Sequence, residues 1–285
     1  MIELFQHDFV RYAFLAGSVV AIVSGLVGYF VVLRGQAFAC EALSHIGFTG
    51  ATAAALLGIS SLEGMFFFTI LAALGIGLLG KRLRSRDVEV GMVLTFMLGL
   101  GVLFLSISNR NATTAVNILF GSILSVTYSD VLVTLGAGLV IICFVACLFR
   151  PLLFASFDPD VAETRGVPVR LLSVLFLLVL ALGVSEAMKV VGVLLVLALL
   201  VVPAAAAEHL THRPVMAIAL SVSISLICTL GGLVLAFSGH WPASFYIVSL
   251  TSLFYFTALA IQAIRSPRRH QELSHPSREV FPPEP

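Results

Sequence analysis

In the stretch GQAFACEALSHIGFTG, residues 35–50, a carboxylate at Glu41 and an imidazole at His45 stand four positions apart in otherwise apolar sequence. Positions i and i+4 of a helix lie on one face, so the two side chains can touch or share a ligand. Carboxylate oxygen with neutral imidazole is a donor set suited to borderline divalent metals such as zinc or manganese. The same groups can relay a proton, or bond to each other and merely fasten helices. Spacing leaves these readings open. Two ligands do not complete a metal site, so the rest would come from water, another helix or a second copy of the chain.

The elements that must position this pair are membrane helices. Of 285 residues, 59% are hydrophobic and 11% charged, against roughly 25% charged in soluble domains, and the mean hydropathy is +1.09. A crossing helix needs about 20 mostly apolar residues. Such runs recur at 9–33, 37–58, 62–80, 88–107, 128–149, 169–187, 190–208, 214–237 and 243–264. The expected fold is an all-α polytopic bundle of eight to nine spans, since a glycine-rich run can be broken or re-entrant where protein surrounds it. One polytopic membrane domain fills residues 1–266. The tail 267–285 is rich in Pro and charge and reads as disordered. At membrane depth a carboxylate costs about 2.5–3.5 kcal/mol on insertion scales, so Glu41 should face the interior of the bundle.

Lys and Arg set the orientation, because positive loops stay cytoplasmic. With KRLRSRD, residues 81–87, inside, alternation places every Lys and Arg inside except Arg11, Arg110 and Lys189. The N-terminus is then outside and the C-terminus cytoplasmic. The start, MIELFQHDF, has two acids and no basic region, so the first span is expected to be retained rather than cleaved. No basic stripe interleaved with aromatics points to nucleic acid. Cys40, Cys143, Cys147 and Cys228 all fall in apolar runs, which suggests neither a disulfide framework nor a zinc site.

Other polar features read as structural. EHLTHRP, residues 208–214, puts Glu208 before both His209 and His212, whereas zincins need H-E-x-x-H. Glu186 and Lys189 bracket an external turn and are expected to be hydrated. His240 beside Trp241 reads as an interfacial anchor, and His270 and His275 lie in the tail. There is no GxxxxGK[ST] phosphate loop, so any ATP hydrolysis belongs to another polypeptide.

One inner loop is unlike the rest. In RPLLFASFDPDVAETRGVPVR, residues 150–170, Asp158 and Pro159 open a short helix candidate that Gly166 and Pro168 close. It is either a docking knob or an ordinary turn between spans.

Four stretches together resemble the permeases of bacterial ABC importers for zinc, manganese and iron, the ABC-3 family. They are VVLRGQAFACEALSHIGFTG, ILFGSILSV, FDPDVAETRGVPVRLL and VVGVLLVLALLVVPAAAA. The resemblance implies the vitamin B12 permease type of importer fold in a bacterial plasma (inner) membrane, and a homodimer passing the ion along its interface. It implies two cytoplasmic ABC ATPase subunits and an extracytoplasmic solute-binding protein as partners. No permanent cofactor is implied; the metal, zinc or manganese with zinc favoured, is cargo. Residues 158–166, through Asp158, Pro159, Ala162 and Gly166, match the family's ATPase-coupling helix. His45 matches the family's metal-lining histidine and Glu41 stands at its usual Asp. Thr49 replaces the proline of the Leu-Pro-Gly turn common in manganese-type members, and Pro203 matches a kinked family helix. The competing expectation is a proton-coupled carrier working without an ATPase, with Glu41 and His45 as its relay.

Overall fold

The computed structural model describes residues 8–83, 87–107, 118–121, 126–239 and 241–265. Among them the regular structure is helical: α1 (Asp8–Leu33), α2 (Ala37–Leu57), α3 (Ser61–Leu83), α4 (Asp87–Ile107), α5 (Tyr128–Phe157), α6 (Pro159–Thr164), α7 (Val169–Val191), α8 (Val196–Leu210), α9 (Pro214–Ser238) and α10 (Ala243–Arg265). A short 3-10 turn, Val193–Leu195, precedes α8. Each of the nine expected spans corresponds to a helix, and α6 is the short helix expected between two of them. The tail, residues 84–86 of the basic loop, Arg110 and His240 lie outside the described residues.

Two boundaries differ from expectation. The fifth span does not stop at 149: α5 continues through Pro151 to Phe157. Proline removes the donor for the Cys147 carbonyl, but Leu152 and Ala155 continue the buried stripe of the helix, so packing outweighs the lost bond. The seventh span, expected at 190–208, is split. Helix α7 runs to Val191, the chain turns at Gly192, and α8 occupies 15 residues from Val196.

Among the described residues six helices are long and apolar enough to cross a membrane: α1, α3, α5, α7, α9 and α10; part of α4 and all of α8 are shorter apolar helices. Helix α2 is in neither group, although it is 21 residues long. Its polar residues are sheltered by protein rather than offered to lipid, as bilayer energetics require. Residues 42–52 of α2 are buried without a break.

That shelter comes chiefly from α3 and α4, with α7 behind, whereas α1 barely meets α2. Gly50 of α2 and Gly64 of α3 cross in contact: a Cβ on either would strike the other's carbonyl oxygen. Thr49 Oγ1 donates to the Met97 carbonyl of α4 at 2.5 Å, and Thr69 of α3 shares a hydroxyl–hydroxyl bond of 2.9 Å with Ser185 of α7. Small residues at close crossings and hydroxyl bonds between helices are how membrane helices associate without a hydrophobic drive. Helix α1 anchors the other half, packing on α5, α7, α8 and α9. Ser221 of α9 donates to its Gly25 carbonyl at 2.8 Å, and Phe30 meets Phe149 and Phe176 edge-on. Outward surfaces carry large apolar side chains such as Phe96, Leu139 and Phe256.

Contacts between helix ends gather some of them at two opposite ends of the bundle. Arg34, after α1, donates to Ser173 near the start of α7 at 2.7 Å and lies over the Phe176 ring. Arg170 reaches the Leu78 carbonyl of α3. At the opposite end Lys189 of α7 pairs with Asp130 of α5 at 3.3 Å, and Ser244 of α10 donates to the Phe120 carbonyl.

The glycine crossing gives a stability prediction. Gly64→Val must push α3 off α2 and should cost about 1–3 kcal/mol, read as a lowered unfolding temperature of the purified protein. Gly75→Val, whose Cβ would meet nothing within 4 Å, is the control and should change little.

Candidate functional site

Glu41 and His45 meet as their spacing predicted. His45 Nε2 and Glu41 Oε1 are 3.3 Å apart, with side-chain exposures of 11% and 36%. The pair is therefore open on one side only, at the carboxylate. His45 Nδ1 is buried and has no hydrogen-bond partner, so nothing on that side of the ring fixes the tautomer.

The separation suits two roles at once. It is a hydrogen bond if the ring nitrogen donates to the carboxylate. With metal–ligand bonds of about 2.0–2.2 Å, two donors 3.3 Å apart subtend about 100° at a shared ion, between octahedral and tetrahedral edges. The separation is thus compatible with two neighbouring ligands of one divalent cation. Among the described residues no group of three or more His, Cys, Asp and Glu forms a ligand cluster. The pair supplies two donors and no more.

Local structure explains how α2 carries it. Ser44 Oγ returns to the Cys40 carbonyl at 2.9 Å, and Thr52 to those of Phe48 and Thr49. The hydroxyls around the pair are consumed by backbone, which leaves its own atoms as the free polar groups of that face. Thr49, where a proline would interrupt α2, lets the helix run on to Leu57 while tying it to α4.

The second candidate region lies at the opposite side of the backbone logic, in α6. Asp158 ends α5 and starts α6: its amide donates to the Phe154 carbonyl at 3.2 Å, and its Oδ1 accepts from the Val161 amide at 3.0 Å. Pro159 fills the first turn, as the sequence suggested. Gly166 adopts φ +82°, and the bonds Gly166 N–H to Glu163 and Val167 N–H to Ala162 close the helix in a Schellman turn. Asp158 and Gly166 are exposed and Pro159 is half-buried. Ala162 is fully buried and seats α6 on the bundle instead of facing outward.

The remaining polar residues sort differently from expectation at one place. Glu186 is not at a hydrated turn: it is 1% exposed, because α7 continues five residues beyond it. Neither of its carboxyl oxygens has a hydrogen-bond partner. Lys189, one turn later, is half-buried and paired with Asp130. The Glu-x-x-Lys spacing carried a signal that sequence reasoning missed, since a terminal lysine at the interface puts the glutamate one turn deeper. His209 packs its ring on Tyr255 at 5.6 Å and His212 lies exposed in the turn after α8, so EHLTHRP is a helix end. Cys143 and Cys147 are exposed, Cys40 and Cys228 buried, and all four are free thiols.

Residues 6–262 match the model of the ABC 3 transport family. The chain is 32% identical over 256 residues to the manganese transport system membrane protein MntC of Listeria monocytogenes, covering 90% of this chain and 91% of that protein. It is 30% identical over 267 residues to a Haemophilus influenzae protein named "Probable iron transport system membrane protein", covering 93% and 98%. Its fold is similar to a chain of the structure "PsaBC from Streptococcus pneumoniae in complex with Fab", with a TM-score of 0.83, 30% identity, and coverage of 96% of this chain and all of that one.

The cap at Asp158 yields a prediction independent of transport. Asp158→Ala removes the acceptor for the Val161 amide and should cost α6 about 1 kcal/mol, while Asp158→Asn should retain most of it. Hydrogen exchange at Val161, faster in the alanine variant, is the measurement.

Proposed function

This chain belongs to the ABC 3 transport family, and from that premise we propose that it is the membrane permease subunit of an ATP-driven importer of a divalent metal ion, with zinc or manganese as cargo. The observation that carries the reading is the Glu41–His45 pair, whose two donors stand at the separation of adjacent ligands on one ion. Relatives named for manganese and for iron transport support a divalent cation. They give no support to zinc over manganese.

In this reading Glu41 and His45 are transient ligands. A pair that offers two donors leaves the ion partly hydrated, and an ion that must move on needs a site it can leave. A second copy of the chain, forming a homodimer, would bring a second pair toward a shared path. The α6 segment, exposed at both ends and seated through Ala162, serves as the surface to which cytoplasmic ABC ATPase subunits couple, and ATP hydrolysis is theirs. An extracytoplasmic solute-binding protein delivers the metal on the face opposite α6. Nucleotide binding draws the ATPases together, α6 moves with them, and the path opens to one side at a time. The C-terminus is then cytoplasmic, in a bacterial inner membrane. The alternative of a proton-coupled carrier without an ATPase gains nothing from the relatives and leaves α6 without a purpose.

Glu41→Ala and His45→Ala should each abolish ATP-dependent metal uptake while the permease still assembles with its ATPase. Uptake assays across a panel of zinc, manganese and iron with the purified complex are the test, and normal uptake in both variants would refute the site. Deleting residues 158–166 should release the ATPase in co-purification. If the intact permease never retains an ATPase, the importer reading fails whatever the metal.

A further inference from the structure

At the end of the bundle that carries α6, two tightly turned segments run toward each other. Helix α1 closes in a Schellman turn: the Gly35 amide donates to the Val32 carbonyl at 3.0 Å and the Gln36 amide to that of Val31 at 2.8 Å, with Gly35 at φ +61°. The Gln36 carbonyl at once accepts the Cys40 amide at 3.1 Å, so α2 starts on the turn itself, and Glu41 and His45 stand on its second and third turns. From the other direction α6 closes at Gly166, the Leu172 amide donates to the Pro168 carbonyl at 3.0 Å, and Ser173 stands on the second turn of α7. The two segments meet through one side chain. Arg34 Nη2 donates to Ser173 Oγ at 2.7 Å, and the guanidinium carbon lies 5.2 Å from the centre of the Phe176 ring. Phe176 is fully buried and packs edge-on against Phe30 of α1.

A guanidinium suits such a junction, because its planar fork bonds and stacks at the same time. The first turns of α7 also hold α3, through the bond from Arg170 to the Leu78 carbonyl and the approach of Gly77 to Val174. Helix α3, however, crosses α2 at Gly50 and Gly64, beyond the ion pair. Arg34 acts at the pair's own end of α2. We propose that Arg34 is a positioning residue for the ion site: its contact with Ser173 and Phe176 carries a displacement of α6 and the start of α7 to the first turns of α2, where Glu41 and His45 stand. Coupling of this kind travels through packed elements and short hydrogen-bonded turns, and both are continuous from Gly166 to Glu41. The relay deepens the importer reading and rests on it for its purpose, while the mechanical link between α6 and α2 stands without it.

The test has two arms. In the complex with its ATPase, Ser173→Ala removes the acceptor and should lower the metal taken up per ATP hydrolysed about fivefold, with the ATPase still bound. Arg34→Lys keeps the charge, loses the planar fork and should do the same, and the double variant should lose no more than either single one. A lowered unfolding temperature with an unchanged ratio in both single variants, or losses that multiply in the double variant, overturns the relay. The second arm uses the permease alone, without ATPase, metal or nucleotide. Asp158→Ala, which frays α6, should speed hydrogen exchange at the amides of residues 38–45 about threefold, and should leave them unchanged in a Ser173→Ala background. No acceleration, or the same acceleration in both backgrounds, overturns the relay. An unmodified complex that takes up no metal refutes the importer reading instead, and hydrogen exchange then decides the relay by itself.

Discussion

Hydrocarbon offers no hydrogen-bond partner, so each polar side chain in this bundle has had to find one within the protein, face a sheltered space, or be left in want. The arrangement of the helices follows from that. Helix α2 carries a carboxylate and an imidazole on one face, and its hydropathy is too low for lipid on all sides. It is therefore wrapped by α3, α4 and α7, and the Gly50–Gly64 crossing is the tightness with which that wrapping is done. Apolar exteriors on α4, α5 and α10 complete the division of labour: apolar residues toward lipid, costly ones inward.

The same rule separates three fates for polar groups. Many serine and threonine hydroxyls are spent on carbonyls, some in their own helix and some across to a neighbour, as Thr49 and Ser221 do, while those of Ser24, Ser225 and Thr229 are buried without a partner. Glu41 and His45 meet through Nε2 and one carboxyl oxygen, the pair staying open at the carboxylate while His45 Nδ1 is buried without a partner. Glu186 has neither remedy.

Much of the fold could be read from the chain because bilayer length and helix period are strict. Nine apolar runs became helices, the Arg34 and Arg170 ends gathered on one side, and the Glu41–His45 contact followed from four-residue spacing alone. The α6 caps were legible for a similar reason: Asp-Pro and a later glycine have local geometric meanings that tertiary context did not alter. What escaped were features decided by packing. Pro151 looked like an end and proved internal, since Leu152 and Ala155 had a core to reach. Glu186 looked like a surface residue because the Glu-x-x-Lys spacing was read as a turn rather than as the last turns of α7, which extends to Val191. The split at Gly192 was hidden inside a continuous apolar run. The partners of the candidate ion site are not in the chain's local pattern at all, as two ligands point beyond the helix that bears them.

Asp158 has a mechanical consequence. It is the last bonded residue of α5 and the cap of α6, so no flexible spacer separates the two helices. Helix α5 is 30 residues long, about 45 Å at 1.5 Å per residue. A push on α6 therefore acts on the end of a long lever whose far tip lies at the opposite membrane face. The compliance of that lever is concentrated at Pro151, where the Cys147 carbonyl has lost its intrahelical donor. A small displacement on one side of the bilayer can become a tilt on the other, with the fulcrum set by a proline that the apolar sequence around it concealed.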